Sequence, residues 1–259
     1  MPRPAVIDQQ RTSPLTSFRR RFAALLLAFA GLGPSLPPVL AQEAVDLELV
    51  LAVDTSLSVS AQEFALQMQG LGRAFASPAV IAAIRAAGDR GIAVTVMQWS
   101  DRHQQHHSLP WTRVTDAASA RAVGARIAAI PRAFGGAGTA IGGAVEAALG
   151  LFQGSGTIAP RRVIDVSGDG IDNRGPFTRS FWDEAALAGV TINGLAILNE
   201  DPYLDLYYQR NVIAGTGAFV TTAADYEDFA RAILAKLVRE IADAPVASLP
   251  SAGAQLGRR

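Results

Sequence analysis

Apolar positions along the chain fall into two alternating kinds of segment. Residues 45–54 (VDLELVLAVD) alternate at first and then become almost continuously apolar, as a strand covered on both faces does. A polar stretch follows, Asp54-Thr55-Ser56-Leu57-Ser58. Ser60 and Glu63 have capping-box spacing and predict a helix start there. Phe64, Met68, Leu71 and Phe75 recur at helical spacing and give that helix an apolar face, which reads as core and not as a cofactor box. Ser77-Pro78 opens a further helix over 78–87, closed by Gly88.

Residues 91–99 (GIAVTVMQW) predict a second strand, and 106–114 a short third one that Pro110 marks as an edge. A helix over 116–129 turns Val123, Ile127 and Ile130 to the core, and a Gly-rich loop spans 131–138. Residues 140–152 read as helix although they hold Gly142 and Gly143, which predicts close backbone packing at those positions. A fourth strand covers 162–167 and ends in Gly168-Asp169-Gly170. Then come a helix over 181–188, a fifth strand over 190–198, a helix over 202–212, a short sixth strand over 218–222 and an amphipathic helix over 224–242. Residues 244–259, with Pro, Ser, Gly and a terminal Arg pair, read as a frayed tail. Strands alternating with helices predict an α/β domain, a mostly parallel sheet with helices on both faces. About 200 residues form one such unit, with no dividing linker and no internal repeat.

The N-terminus departs from this pattern. Arg19-Arg20-Arg21 precede an apolar run over 22–32, then Gly33, Pro34, Pro37 and Pro38, then Val39-Leu40-Ala41. A basic start, a short apolar centre and small residues predict a secretory signal peptide over 1–41, cleaved after Ala41. The run is well short of the roughly 20 residues that span a bilayer, so no membrane span is expected after cleavage. Arg19-Arg20-Arg21-Phe22 resembles a twin-arginine signal, although Phe18 stands where a Ser or Thr is usual. An uncleaved anchor is the alternative. The mature domain would then cover 42–243.

Composition narrows the function classes. The chain of 259 residues is 49% hydrophobic and 18% charged, an ordinary globular balance. Its formal net charge is zero with no basic block, which gives no electrostatic footprint for nucleic acid. Residues 1–41 carry five Arg and one acid, Asp8, so cleavage leaves 18 basic and 22 acidic side chains, a net charge of −4. The chain has no Cys, hence no disulfide framework, no Cys zinc site and no thiol nucleophile. A mildly acidic exported protein that needs no disulfides fits a periplasmic or secreted location.

Open parallel sheets bind ligands outside the carboxyl ends of their strands. Three polar groups fall there: Asp54, Ser56 and Ser58 after the first strand, Thr139 in Gly135-Gly136-Ala137-Gly138-Thr139, and Asp169 after the fourth. All are oxygen donors, which suits a hard divalent cation, Mg²⁺ first, with Mn²⁺ or Ca²⁺ as alternatives. Alternate residues of an extended loop point the same way, so Ser56 and Ser58 can offer two hydroxyls to one point with Asp54 behind them. Taken alone, Asp54-Thr55-Ser56-Leu57-Ser58 is more often a helix cap or turn than a ligand set. Asp172 and Asn173 read as turn residues, because Ile171 breaks the alternate-oxygen pattern of a calcium loop. Asp165, inside a strand, reads as a satisfied structural carboxylate. His103, His106 and His107 read as a solvated stretch; their spacing fits no zinc pattern well.

The set Asp54-x-Ser56-x-Ser58, then Thr139, then Asp169, resembles the metal-ion-dependent adhesion site (MIDAS) of von Willebrand factor type A (vWFA) domains. The resemblance runs over roughly 45–241. The chain is also similar to a bacterial branch of that superfamily, the DUF1194 type, in Gln98-Trp99-Ser100, in Gly138-Thr139-Ala140-Ile141-Gly142 and in Asp165-Val166-Ser167-Gly168-Asp169-Gly170. It implies a three-layer Rossmann-like fold whose mostly parallel six-stranded sheet has one antiparallel edge strand. It implies direct metal ligation by the Ser56 and Ser58 hydroxyls. Thr139, Asp54 and Asp169 would bind directly or through water, and an acidic side chain of a partner protein would complete the sphere. On that resemblance the protein is a binding module and not an enzyme. A secreted hydrolase using the Asp54/Ser56 region is the competing reading, but the turn reads Gly138-Thr139-Ala140 with no serine nucleophile, and no Gly-x-Ser-x-Gly elbow is present. Nucleotide binding lacks a phosphate loop, and the only lysine is Lys236.

Overall fold

The computed structural model describes residues 42–242. The expected signal peptide over 1–41 and the tail over 244–259 lie outside the described residues. Strands β1 (Glu43–Ala44) and β2 (Leu47–Asp54) are followed by helices α1 (Ala61–Ala76) and α2 (Pro78–Ala87). The hairpin β3 (Ile92–Trp99) and β4 (Gln105–Val114) leads into α3 (Ala117–Ala128) and α4 (Ile141–Leu151). The rest is β5 (Thr157–Ile158), β6 (Arg162–Gly168), α5 (Trp182–Leu187), β7 (Val190–Ile197), α6 (Leu204–Asn211), β8 (Val220–Ala223) and α7 (Phe229–Ala242). No helix among the described residues is long and apolar enough to cross a membrane.

Six strands form one sheet in the order β4-β3-β2-β6-β7-β8. All neighbours are parallel except β3 and β4, whose antiparallel pairing makes β4 the edge that Pro110 marks. The expected α/β architecture is therefore present. Strand β2 is buried along its whole length, and its two faces serve two cores. Leu47, Leu49, Leu51 and Val53 pack with α1, α2, α3 and α7, whereas Val50 and Ala52 pack with α4, α5 and α6. That is why its apolar run is nearly continuous. Each of these buried Leu and Val side chains contributes about 1.5–3 kcal/mol by leaving water.

Three local readings change. A two-residue parallel pair, β1 with β5, is too short to leave any period in the sequence. Helix α7 begins at Phe229 and not at 224, because Asp228 Oδ2 accepts from Ala224 N (3.0 Å) and Asp225 Oδ1 from Asp228 N (2.8 Å), which spends those residues on a turn. The sixth strand lies two residues later than expected at its start. The close packing expected at Gly142 is present. A Cβ there would stand 1.9 Å from the Pro176 carbonyl oxygen. Gly142→Ala is thus expected to push the 171–177 loop away and to cost about 1–3 kcal/mol, read as a lower denaturant midpoint at unchanged slope.

Candidate metal centre

Parallel pairing of β2 with β6, from Glu48 opposite Arg162 to Val53 opposite Ser167, brings Asp54 and Asp169 out at the same edge of the sheet. Asp54 is the last residue of β2, and its carbonyl accepts from the Gln67 side chain (3.2 Å). Its Oδ1 accepts from Ser56 N at 2.7 Å. Thr55 turns the other way, its N–H and hydroxyl both donating to the Trp99 carbonyl, 2.8 and 2.9 Å. The alternation predicted for this loop follows: Ser56 Oγ lies 3.1 Å from Ser58 Oγ, and Ser58 Oγ donates to Asp169 Oδ1 at 2.7 Å.

Thr139 reaches the same place from the Gly-rich loop. Its N–H donates to Asn173 Oδ1 (2.8 Å), and its carbonyl accepts from the N–H groups of Asn173 (2.9 Å) and Arg174 (3.3 Å). Its hydroxyl, left out of this clamp, lies 3.5 Å from where a Cβ of Gly170 would stand, and Thr139 lines one groove with Ser58. The structure thus gathers all five positions, Asp54, Ser56, Ser58, Thr139 and Asp169, at one edge of the sheet.

Several supporting residues had been given no role at the site from the sequence. Ser100 Oγ accepts from Ala137 N (3.0 Å) and donates to the Gly138 carbonyl (3.2 Å). Gln98 holds the start of the same loop through Pro131 O (2.9 Å) and Ala133 N (2.8 Å). Arg132 donates to the carbonyls of Thr55 (3.0 Å) and Ser56 (3.1 Å), bracing the first loop. Asp172, read as a turn residue, caps α4 by accepting from Gly142 N (3.1 Å), and Asn173 holds Thr139. For Asp172 and Asn173 the available signal was their position three and four residues after Asp169.

Charge is poorly balanced here. Asp54 is fully buried, and burial first, with the Asp169 charge second, pushes its carboxyl up to about 7. Burial also raises Asp169, against the Ser58 hydrogen bond. Asp54 Oδ2 and Asp169 Oδ2 are buried without a hydrogen-bond partner, as are the Tyr208 and Tyr226 hydroxyls. Tyr226 faces Asp169 and stabilises its charge, yet it closes no hydrogen bond of ordinary geometry. Tyr208 OH and Asp54 Oδ2 lie 2.9 and 2.8 Å from the point where a Cβ of Gly168 would stand. Buried oxygens of this kind nearly always have a partner in folded proteins. Two half-satisfied carboxylates beside three hydroxyls fit a small dication, which would offset both charges and take up the free lone pairs.

Among the described residues, no group of three or more His, Cys, Asp or Glu is placed to hold a metal, so the three histidines do not form such a site. His107 Nε2 lies 2.6 Å from Thr95 Oγ1, and His106 packs edge-on to Phe134. Asp165 is an internal structural carboxylate, 2.8 Å from Lys236 Nζ.

A family model described as a protein of unknown function (DUF1194) matches residues 44–245. No curated protein matches the sequence. Among solved structures, proximal thread matrix protein 1 of the mussel byssus superposes with a TM-score of 0.57 at 15% identity, over 78% of this chain and 49% of that one. A second structure of that mussel protein has a zinc-occupied MIDAS motif (TM-score 0.54, 15% identity, 76% of this chain and 48% of that one). A von Willebrand factor type A protein from Catenulispora acidiphila gives 0.50 at 16% identity, over 76% and 43%. The pilus adhesin SpaC from Lactobacillus rhamnosus GG gives 0.51 at 12%, over 76% and 30%. The chain spans at most about half the length of these structures. What they share with it is the vWFA fold.

Proposed function

We propose, for a chain that belongs to the DUF1194 family and has the vWFA fold, that it is an exported protein-binding module working through a divalent cation, Mg²⁺ first, with Mn²⁺ or Ca²⁺ as alternatives. Ser56, Ser58 and Thr139 would offer hydroxyls to the ion, and Asp54 and Asp169 would balance its charge directly or through water. The observation that carries this reading is the pair of buried carboxylates, each with an oxygen lacking a partner, beside three hydroxyls. What a bound ion would supply is an electrophilic centre that still takes an anionic ligand, since three of its five protein ligands are neutral hydroxyls. An acidic side chain of a partner protein meets that demand. The zinc-bearing motif of the mussel protein and the adhesive role named for SpaC support the reading by analogy of fold. Export rests on the signal pattern over 1–41 and points to the periplasm or the exterior.

No observation favours the hydrolytic alternative. Ser56 Oγ meets Ser58 Oγ, not an imidazole, while His106 and His107 face Phe134 and Thr95. The test is a thermal melt of the protein in EDTA, then in rising Mg²⁺ or Mn²⁺. At about 100 times the Kd, linkage adds roughly 2.7 kcal/mol. For a domain of this size that raises Tm by roughly 5–10 °C. The rise should disappear in the Ser56→Ala, Ser58→Ala double variant. A wild-type melt that is the same in EDTA and in excess metal contradicts the proposal.

A further inference from the structure

The groove that contains Ser58 and Thr139 has a volume of about 510 Å³, in the range of small-ligand pockets, and its far wall is Arg174. That arginine is placed by the loop it crosses. Its N–H donates to the Thr139 carbonyl at 3.3 Å, and its side chain lies flat over Gly138, where a Cβ would stand 2.1 Å from Arg174 Cγ. A larger residue at 138 would displace the Arg174 side chain from its place over this loop. Arg174 is exposed and forms no ion pair among the described residues. The one acid in the groove, Asp101, has its Oδ1 occupied by Arg102 N at 2.6 Å. A second groove of about 260 Å³ is lined by Arg102 and His103, but there Glu146 offsets the positive charge.

Resting on the metal-binding reading above, we propose that Arg174 is a second anchor for the partner, which presents two neighbouring acidic side chains: one completes the ion's coordination and the other pairs with the Arg174 guanidinium. A planar guanidinium suits a carboxylate bidentately, which adds direction as well as attraction. A single-acid ligand would leave Arg174 solvated and gain nothing from the groove's far wall. Arg174 is exposed, so the contribution of the pairing is modest and sensitive to salt.

The probes are a short labelled peptide with one Glu-Glu pair in a Gly/Ser background and its Glu-Gln and Gln-Glu counterparts, titrated by NMR against the whole protein in Mg²⁺. The Glu-Glu peptide should bind about three- to tenfold more tightly than either single-acid peptide. Arg174→Gln should abolish that preference while the Mg²⁺-induced rise in Tm persists. Arg102→Gln should change it less, because Glu146 shares its groove. Arg174→Lys, which keeps the charge without the fork, should restore part of it. The proposal is overturned by a preference that survives Arg174→Gln, by equal losses for Arg102→Gln and Arg174→Gln, by Glu-Glu binding that persists in EDTA, or by no Glu-Glu binding at all. A missing Tm response in the wild type is a separate result and strikes the metal reading itself.

Discussion

Lys236→Met should lower stability by about 3–5 kcal/mol, a fall in Tm of roughly 6–20 °C, without touching the site at the strand ends. Lys236, the only lysine of the chain, is buried on α7, with Nζ 2.8 Å from Asp165 Oδ1 on β6 and 2.5 Å from Glu240 Oε1 one turn along the helix. Asn193 on β7 donates to Glu240 Oε1 at 2.8 Å and accepts from Phe219 N at 3.1 Å, so the network ties α7 to the centre of the sheet. Burial, then the Asp165 charge, pushes the Glu240 carboxyl up to about 8. Removing the cation leaves Asp165 buried without its counter-charge. Lys236→Met combined with Asp165→Leu and Glu240→Gln should recover most of the loss, since a buried ion pair contributes little beyond an apolar replacement. The raised Glu240 value also fixes a sign. Its contribution is fully present below the ordinary carboxylate value of 4.5 and is lost as pH rises through about 8, so Glu240→Gln should flatten that part of the pH profile. Denaturant midpoints at several pH values measure all of this. A Lys236→Met protein within 1 kcal/mol of wild type, on the scale of surface changes, shows that the network bears no such charge.

Periodicity made the sheet readable and hid the polar interior. The run over 45–54 announced a doubly covered strand because both faces of β2 meet apolar helices. It gave no hint that Glu48 is fully buried, satisfied by Thr157 Oγ1 (2.6 Å) and Arg162 Nε (3.0 Å). Those partners stand more than a hundred residues away, and no local pattern encodes them. The same holds at the strand ends. Asp54, Ser56 and Ser58 stand out because alternate oxygens after a strand are a local signature, and Thr139 and Asp169 because each follows a Gly-rich or strand-ending turn. Arg132 and Tyr208 act through contacts that only the folded chain creates. Their residue types are common in loops and surface helices, so nothing in the sequence distinguished them. The early start expected for α7 failed for the opposite reason: helix-compatible residues at 224–228 were claimed by aspartate turn bonds.

Asp54→Asn should make the metal-free protein more stable at about pH 8 while removing its response to Mg²⁺. The amide keeps an oxygen for Ser56 N, now 2.7 Å from Oδ1, and sheds a charge that burial and Asp169 both oppose. A carboxyl raised from 3.8 to about 7 corresponds to a penalty of up to roughly 4 kcal/mol for holding it ionised in the folded state. Relaxation of the loop reduces this, so a gain of about 2–4 kcal/mol at pH 8 is expected. The sign follows from the raised value: the wild-type contribution is intact below 3.8 and declines as pH rises through about 7, so the two proteins should be close at pH 4 and diverge above it. Urea midpoints in EDTA across that range measure the divergence. Adding Mg²⁺ should then reverse the order, because the wild type gains by linkage and the variant has lost one of the two charges that would balance the ion. A variant less stable than wild type in EDTA at pH 8 means that the buried carboxylate is already compensated, and the argument for a cation there loses its footing. A crossing of the two curves on adding metal is what a site built at the expense of stability produces, since a ligand then supplies what the fold gave up.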